Sequence, residues 1–228
     1  MLKAIIFDVD GTLADTEMAH MAAFNHAFAE AGLNWHWDVP LYTKLLEISG
    51  GKERIRAYWQ SRGDMPKEVG HGGISQTIDH LHEIKTAAYE QAVQNGDVHM
   101  RPGVLPLMRS AIEAGLHLAI ATTTSPVNIT HLLKQCIGPE WTSYFSVIED
   151  ASTAPRKKPD PSVYLQTLAR LNLPASDCIA IEDSANGLRA ATAAGLTTLI
   201  TTNPFTKHHH FEGVKRFARM CRSRLMCT

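Results

Sequence analysis

The sequence has few of the features that mark secreted, membrane-spanning or nucleic-acid-binding proteins. It has four cysteines in 228 residues, with no C-x-x-C pair and no zinc-finger spacing, which is typical of a reducing compartment. No apolar run is long enough to span a bilayer, and the first residues lack the basic segment of a signal peptide. The formal net charge is -1, so no overall field favours nucleic acid or an anionic membrane. We therefore expect a cytoplasmic protein that binds neither nucleic acid nor membranes, and we expect it to be a monomer.

Short apolar runs alternate with stretches whose apolar residues recur at helical spacing. The apolar runs are typical of strands buried on both faces of a parallel sheet. They lie at residues 2–7, 116–121, 178–181 and 196–200, with a weaker candidate at 144–148. Helices are predicted at 102–115, 159–172 and 184–195. This alternation predicts an α/β fold with a Rossmann-like, doubly wound parallel sheet.

The segment between the first two predicted strands has a different pattern. Met21, Phe24 and Phe28 recur at helical spacing, and Gly32 follows as a helix stop. No convincing buried strand follows, so we expect a helical cap domain inserted after the first strand. The predicted boundaries are 1–14 and 99–228 for the core domain and 15–98 for the cap domain.

The first predicted strand ends in two aspartates separated by one residue, in the segment A-I-I-F-D-V-D-G-T. Ligands bind at the carboxyl ends of strands in an open α/β sheet, and alternate residues point the same way, so Asp8 and Asp10 address one site. Two close carboxylates favour a hard cation such as Mg²⁺ between them. One carboxylate can also attack phosphorus while the other gives and takes a proton. The alternative is that both residues only form a turn or a helix cap.

Polar residues follow two other predicted strands, and a lysine lies at the start of a predicted helix. The hydroxyl run Thr122–Ser125 is suited to bind a phosphate at a helix start, although it could also only cap that helix. Lys158 precedes a proline and could neutralise a phosphoryl oxygen or lie solvated on the surface. Glu182 and Asp183 form a second acid pair that would help to complete a Mg²⁺ site.

Taken in this order and at these strand ends, the four motifs resemble those of the haloacid dehalogenase-like hydrolase superfamily. The predicted helical insertion resembles the cap of that superfamily. The segments FDVDGTLADTE, SGGKERI, ATTTS, KKPDPSVY and AIEDSANGLRAA look like those of its CbbY group. That group resembles β-phosphoglucomutases in layout. Its known members are phosphatases that remove xylulose 1,5-bisphosphate, an inhibitory sugar phosphate made by Rubisco, the enzyme of the Calvin cycle.

The resemblance implies a role for each matching residue. Asp8 would be the nucleophile and a metal ligand, and Asp10 would be the general acid and base, with its backbone carbonyl on Mg²⁺. Thr122, Thr123 and Lys158 would hold the phosphoryl group, and Glu182 and Asp183 would complete the metal site.

The cap would recognise the rest of the substrate. Two glycines precede Lys52 and Arg54, which we expect to lie on a flexible loop and to bind the distal phosphate of a sugar bisphosphate. Glu17, His20 and Lys85 are further cap candidates. His20 lies one position from the apolar stripe, so it could also simply flank the core.

The leading hypothesis is a Mg²⁺-dependent phosphatase that converts xylulose 1,5-bisphosphate to xylulose 5-phosphate through an aspartyl-phosphate intermediate. The alternatives are a sugar-phosphate mutase of the β-phosphoglucomutase type, a phosphoglycolate-type phosphatase, and a non-catalytic phosphate-binding module. The last alternative predicts a damaged motif, whereas the motif residues are all intact.

Three further features have no catalytic part in the leading hypothesis. Glu149 and Asp150 form another acid pair, but the strand before them is less apolar than the strand before Glu182, so we expect an outer shell or a solvated loop. We expect His208–His210 to form an exposed loop, since no standard metal-ligand spacing surrounds them. The basic segment 213–228 is expected to form a peripheral helix, because charge runs are usually solvated.

Overall fold

A computed structural model describes residues 1–63, 73–154 and 156–212 of the chain. The basic segment predicted to be a peripheral helix lies outside these residues. A parallel sheet of five strands forms the centre of the core domain, in the order β3-β2-β1-β4-β5. The strands are β1 Ala4–Phe7, β2 His117–Ala121, β3 Val147–Glu149, β4 Cys178–Glu182 and β5 Thr197–Ile200. The α/β fold and all five predicted strands are thus confirmed.

Alternate residues of β1 enter two separate hydrophobic cores, as expected for a strand with both faces buried. Ile5 and Phe7 pack on the side of the sheet that carries α5 and α6, helices spanning Val104–Glu113 and Pro126–Cys136. Ala4 and Ile6 pack on the opposite side. That side carries α7 and α8, which span Ser162–Leu171 and Ala185–Ala193. Short 3₁₀ turns lie at Trp141–Tyr144 and Ala175–Asp177.

In the described part of the segment between β1 and α5, four helices form the inserted cap. They are α1 Glu17–Glu30, α2 Val39–Leu45, α3 Gly51–Arg62 and α4 Gly73–Gln94. Their shared core is strongly aromatic and consists mainly of Phe24, Phe28, Trp35, Trp37, Tyr42, Tyr58 and Trp59. Phe205, which comes from the core domain beyond β5, also packs into this aromatic core. The cap and core domains therefore share a hydrophobic contact.

The two chain segments that connect the cap to the core run antiparallel to each other. Ala14 and Met100 form a β-bridge, the Asp15 N–H donates to His99 O, and the Arg101 N–H donates to Leu13 O. We therefore propose that the domain boundaries lie here, at the predicted positions near residues 14 and 99.

The loop expected around Lys52 and Arg54 is instead the first turn of a helix, so this prediction was wrong. Gly50 adopts a φ of +100° at the start of α3, a conformation that favours glycine. The two glycines set the entry into the helix rather than a flexible segment. Consequently, Lys52 and Arg54 have fixed and different directions.

Candidate active site

A cavity of about 180 Å³ lies between the carboxyl ends of the strands and the cap. Its lining brings together most of the candidate residues: Asp8, Asp10, Glu17, His20, Arg54, Lys85, Thr122, Thr123, Lys158 and Asp183. The predicted motifs therefore converge at one place, although they are spread over the whole described chain.

Asp8 and Lys158 form a buried ion pair at the end of β1. Lys158 Nζ lies 2.6 Å from Asp8 Oδ1 and 2.6 Å from Glu182 Oε1, and it also donates to Ala121 O at 2.8 Å. Its side chain is only 4% exposed, so the solvated-surface alternative for Lys158 is wrong. Burial raises the pKa of the Asp8 carboxyl to about 7, with Lys158 opposing the shift and Glu182 adding to it.

Asp8, Glu182 and Asp183 form a buried group of carboxylates that could hold a metal ion. One oxygen from each lies within 4.8 Å of the others. When all three are ionised, the single charge of Lys158 leaves two negative charges, which match a divalent cation. A Cβ at Gly187 would collide with the Glu182 carboxylate, so the start of α8 closely encloses this oxygen donor set. Hard oxygen ligands of this kind fit Mg²⁺.

Tyr164 stabilises the acid group through a hydrogen bond to Glu182. Its hydroxyl donates to Glu182 Oε1 at 2.6 Å, and Lys158 Nζ lies 5.1 Å from the centroid of its ring. The hydrogen bond satisfies a carboxylate oxygen that is fully buried, where an unpaired charge would be costly. Sequence reasoning missed Tyr164, because its spacing on α7 is that of an ordinary core residue.

Asp10 has a different environment, made mainly by the cap. His20 Nε2 lies 3.1 Å from Asp10 Oδ1, and the Thr124 hydroxyl donates to Asp10 Oδ2. Lys85 Nζ lies 2.9 Å from His20 Nδ1, and an ammonium can only donate. The proton of a neutral His20 is therefore on Nε2, and it is donated to Asp10.

These contacts and burial shift the pKa values of Asp10, His20 and Lys85. Burial works against the charge of Asp10, but the charge of a protonated His20 and the hydrogen bonds from His20 and Thr124 bring its pKa below the usual range. Burial and nearby Lys85 lower the pKa of His20, and burial lowers the pKa of Lys85 to about 8. His20 also stacks on Tyr89 with ring centroids 4.0 Å apart. The alternative that His20 only flanks the core is wrong.

The hydroxyl run after β2 lines the cavity and also begins α6. The Thr122 N–H donates to Glu149 O in the neighbouring strand, and the Thr124 N–H donates to Thr122 Oγ1 at 3.3 Å. Ser125 caps the helix by accepting from Asn128 N. The segment therefore caps a helix and also presents polar groups to the cavity, and phosphate binding by these groups stays a prediction.

Lys52 and Arg54 take opposite directions from the first turn of α3. Arg54 lines the cavity, and its guanidinium donates to Leu45 O and Ile48 O. Lys52 is not among the residues that line the cavity, and its Nζ instead pairs with Asp79 at 2.7 Å in an exposed position. Its expected contact with a distal phosphate therefore has no support in this placement.

Several residues that line the cavity were not predicted from the sequence to take part in the site. Lys157 lines it and pairs with Glu53 of the cap at 3.2 Å. Asn186 also lines it and donates to Glu47 O and Ser49 Oγ across the two domains. Only the KK doublet could have drawn attention to Lys157.

The remaining acid pair and the histidine run are not part of the acid group formed by Asp8, Glu182 and Asp183. Glu149 pairs with Arg170 at 2.6 Å, and Asp150 accepts from Ser152 N. His208 and His210 are exposed, whereas His209 is half-buried and reaches the edge of the cavity. The exposed loop expected at 208–210 is therefore correct for two of its three residues.

Comparisons with known proteins agree with this geometry. A family model described as haloacid dehalogenase-like hydrolase matches residues 2–195. The chain is 54% identical over 212 residues to the plasmid-borne protein CbbY of Cupriavidus necator, covering 93% of this chain and 83% of that protein. The chain belongs to the CbbY family of haloacid dehalogenase-like hydrolases. The family predicted from the sequence motifs is thus confirmed.

Solved structures of CbbY from Rhodobacter sphaeroides have the same fold. The complex with phosphate is 39% identical, with a TM-score of 0.87 and coverage of 96% of this chain and 94% of that chain. A mutant of the same protein in complex with xylulose-(1,5)bisphosphate is 38% identical, with a TM-score of 0.88 and the same coverage. Among the helices of the described residues, none is both long and apolar enough for a membrane span.

Proposed function

We propose that this CbbY-family protein is a Mg²⁺-dependent phosphatase that hydrolyses xylulose 1,5-bisphosphate to xylulose 5-phosphate. The observation that carries the proposal is the set of charged side chains, from both core and cap, that line the cavity between them. Asp8 and Asp10 from the core line this cavity together with the cations Arg54 and Lys85 from the cap. A substrate with a phosphate at each end of a short sugar matches this distribution of charge.

The likeness to a CbbY that binds xylulose-(1,5)bisphosphate supports the choice of sugar. The residues that would hold Mg²⁺ are Asp8, Glu182 and Asp183, with the Asp10 carbonyl as a further candidate. When bound there, Mg²⁺ would neutralise charge on the transferring phosphoryl group.

In the first step, Asp8 acts as the nucleophile. A carboxylate oxygen of Asp8 forms a bond to phosphorus while the bond from phosphorus to the sugar oxygen breaks. Asp10 gives a proton to the departing sugar oxygen. Lys158, held 2.6 Å from Asp8 Oδ1, and the polar groups of Thr122 and Thr123 stabilise the charge of the phosphoryl oxygens.

In the second step, the aspartyl phosphate is hydrolysed. Asp10 takes a proton from a water molecule, the resulting hydroxide attacks phosphorus, and the bond to the Asp8 oxygen breaks to release phosphate. The hydrogen bonds that His20 and Thr124 make to Asp10 favour its ionised form, which is the form that this step requires.

We assign the distal phosphate to the cap side of the cavity, near Arg54 and Lys157. Of the five N–H donors of Arg54, three are used by Leu45 O, Ile48 O and Tyr42 Oη. Two donors remain for a phosphate. Lys157 would exchange its half-exposed partner Glu53 for the second phosphate.

The test is Mg²⁺-dependent phosphate release from xylulose 1,5-bisphosphate, phosphoglycolate and β-glucose 1-phosphate. We expect a kcat/KM for the bisphosphate at least about tenfold above the others, since only it engages both ends of the cavity. We expect Asp8→Asn to abolish release, because the amide cannot act as the nucleophile. Glu149→Gln is the matched control, since this buried acid pairs with Arg170, apart from the acid group at Asp8.

Two results would contradict the proposal. Equal rates on the three substrates would remove the role of the distal phosphate. Conversion of β-glucose 1-phosphate to glucose 6-phosphate without net phosphate release would instead identify a mutase.

A further inference from the structure

A short loop after β5, residues 201–206, contacts both the metal-binding acid group and the cap. Asn203 in this loop is 6% exposed. Its Nδ2 donates to Asp183 Oδ2 at 2.7 Å and to Gly11 O at 3.3 Å. Asn203 therefore links a carboxylate of the acid group to the turn that follows the two catalytic aspartates.

The orientation of the Asn203 amide is fixed by its own loop. Its Oδ1 accepts from Phe205 N at 2.9 Å and from Thr206 N at 3.1 Å. Because the oxygen is occupied by two backbone donors, the amide nitrogen must face Asp183. The hydrogen bond leaves the other oxygen of Asp183 free for a cation.

Arg101 holds the first part of the same loop against the catalytic turn. Its guanidinium donates to Gly11 O at 2.6 Å, to Thr201 O at 2.9 Å and to Thr202 O at 2.8 Å. Arg101 lies where the chain returns from the cap. The loop is thus fixed at one end by the segment that connects the two domains.

The other end of the loop is covered by the cap. Phe205 is 7% exposed, and its ring meets Tyr42 edge-on with centroids 6.0 Å apart. The Tyr42 hydroxyl donates to Glu17 Oε2 at 2.8 Å, and Glu17 lines the cavity. Opening of the cap would remove Tyr42 from Phe205 and expose this ring to water, which is unfavourable.

We propose that Asn203 is a positioning residue that orients the Asp183 carboxylate for Mg²⁺ binding. We also propose that Phe205 couples this orientation to closure of the cap. The metal in this inference rests on the proposed function. Phe205 can affect Asn203 because its own N–H completes the turn that orients the amide. Since coupling of this kind is reciprocal, Mg²⁺ binding also favours the closed cap.

The test of the first part is isothermal titration of Mg²⁺ into the full-length protein and the variant Asn203→Ser. Serine is uncharged and still offers a turn oxygen to the backbone N–H groups, but it has no amide donor for Asp183. Loss of an outer-shell partner typically weakens metal binding 10- to 100-fold, so we expect Kd for Mg²⁺ to rise by about that factor. Asn95→Ser, at an exposed position beyond α4, is the control and should leave Kd unchanged.

The second part is tested by hydrogen exchange of the cap segment 39–49 with and without Mg²⁺. We expect Mg²⁺ to slow exchange there in the unmodified chain and to have no such effect in Phe205→Ala. Circular dichroism and melting temperature establish that each variant is folded. Phe205→Leu, which keeps an apolar contact, should retain part of the protection.

An unchanged Mg²⁺ affinity in folded Asn203→Ser would overturn the positioning role. Full Mg²⁺-dependent protection in Phe205→Ala would overturn the coupling. Neither result depends on turnover. A protein that binds Mg²⁺ but hydrolyses none of the sugar phosphates would refute the proposed function and leave this inference standing, whereas a protein that binds no Mg²⁺ would refute both.

Discussion

At the residue scale, the pKa values of Asp8 and Asp10, two aspartates of one turn, are shifted in opposite directions. Burial raises the pKa of Asp8 to about 7, and the acids beside it add to the shift. Asp10 lies only two residues away, yet its pKa is lowered by donors from His20 and Thr124. These directions are the reverse of what the proposed first step requires, since Asp8 must be ionised to attack and Asp10 must be protonated to give its proton. A cation bound at Asp8 would lower its pKa and favour its ionised form, and His20, which contacts Asp10, comes from the cap.

Lys85 should set the alkaline limit of activity. Burial lowers its pKa from 10.5 to about 8, so it is protonated below pH 8 and loses its proton above. The neutral amine of Lys85 no longer fixes the proton of His20 on Nε2, so His20 no longer has to donate a hydrogen bond to Asp10. We expect kcat/KM measured between pH 6 and 10 to fall above pH 8, by roughly tenfold per pH unit.

The matched variant is Lys85→Arg, which stays charged over this range. We expect it to keep activity at pH 9 that the unmodified protein has lost, relative to each protein at pH 7. Lys44→Arg, on α2, should leave the profile unchanged. The same decline in Lys85→Arg would show that another group sets it.

The sequence predicted the residues at strand ends better than the residues around them. Asp8, Asp10 and Asp183 could be placed because an acid directly after a buried strand is costly unless it binds a partner. Asn203 and Tyr164 could not, since a single polar residue in a loop and a tyrosine on a core helix have no distinctive pattern. Their importance comes from contacts with acids 20 and 18 residues away in the chain, and no local spacing records such contacts.

At the scale of one element, the first turn of α3 separates two cations that look alike in the sequence. Helical residues advance by about 100° each, so Lys52 and Arg54 differ by about 200° and point to opposite sides. Arg54 contacts the cavity, and Lys52 pairs with Asp79. A loop would have allowed both to reach one phosphate, and this is why the sequence-based prediction failed for Lys52.

This difference gives a matched pair of variants. We expect Arg54→Met to raise KM for xylulose 1,5-bisphosphate at least about tenfold, because a charged hydrogen bond is worth about 1.5–3 kcal/mol. Lys52→Met should change KM less than about twofold, because exposed ion pairs contribute little. Initial rates on the bisphosphate measure both.

Arg54 also supports the cap through Leu45 O and Ile48 O, so the melting temperature of the variant must be measured as well. A KM for β-glucose 1-phosphate that changes much less than KM for the bisphosphate would localise the effect to the distal phosphate. A larger defect in Lys52→Met than in Arg54→Met would contradict the assignment.

At the scale of the whole molecule, the cap contacts the core through apolar side chains such as Tyr89 and Val93 and also through polar contacts. Asn186 donates to Glu47 O at 2.8 Å and to Ser49 Oγ at 3.1 Å. We expect Asn186→Ala to destabilise the closed form and to raise KM for the bisphosphate several-fold. Hydrolysis of p-nitrophenyl phosphate, which has one phosphate and no sugar to enclose, should change little.

The control is Asn172→Gly, at the end of α7 and on the core alone. Asn172 has a φ of +53°, which glycine adopts readily. Equal losses on both substrates in Asn186→Ala would indicate a general structural defect and would argue against a role in closure.

The fold class and the helical insertion were predictable because apolar periodicity records which residues face a core. The arrangement of the two domains was not, because it depends on contacts between residues far apart in the chain, such as Phe205 with Tyr42 and Lys157 with Glu53. Each member of these pairs is an ordinary surface or core residue within its own domain. Only the folded chain brings them together.

The central place of β1 in the sheet has a consequence for synthesis. The ribosome makes Asp8 150 residues before Lys158 and 174 residues before Glu182. Asn203, which supports the acid group, comes later still. The first strand therefore stays unpaired on its β4 side until the residues of β4 have been made. A chain truncated before β4 would lack Glu182 and Asp183, two of the three carboxylates of the acid group.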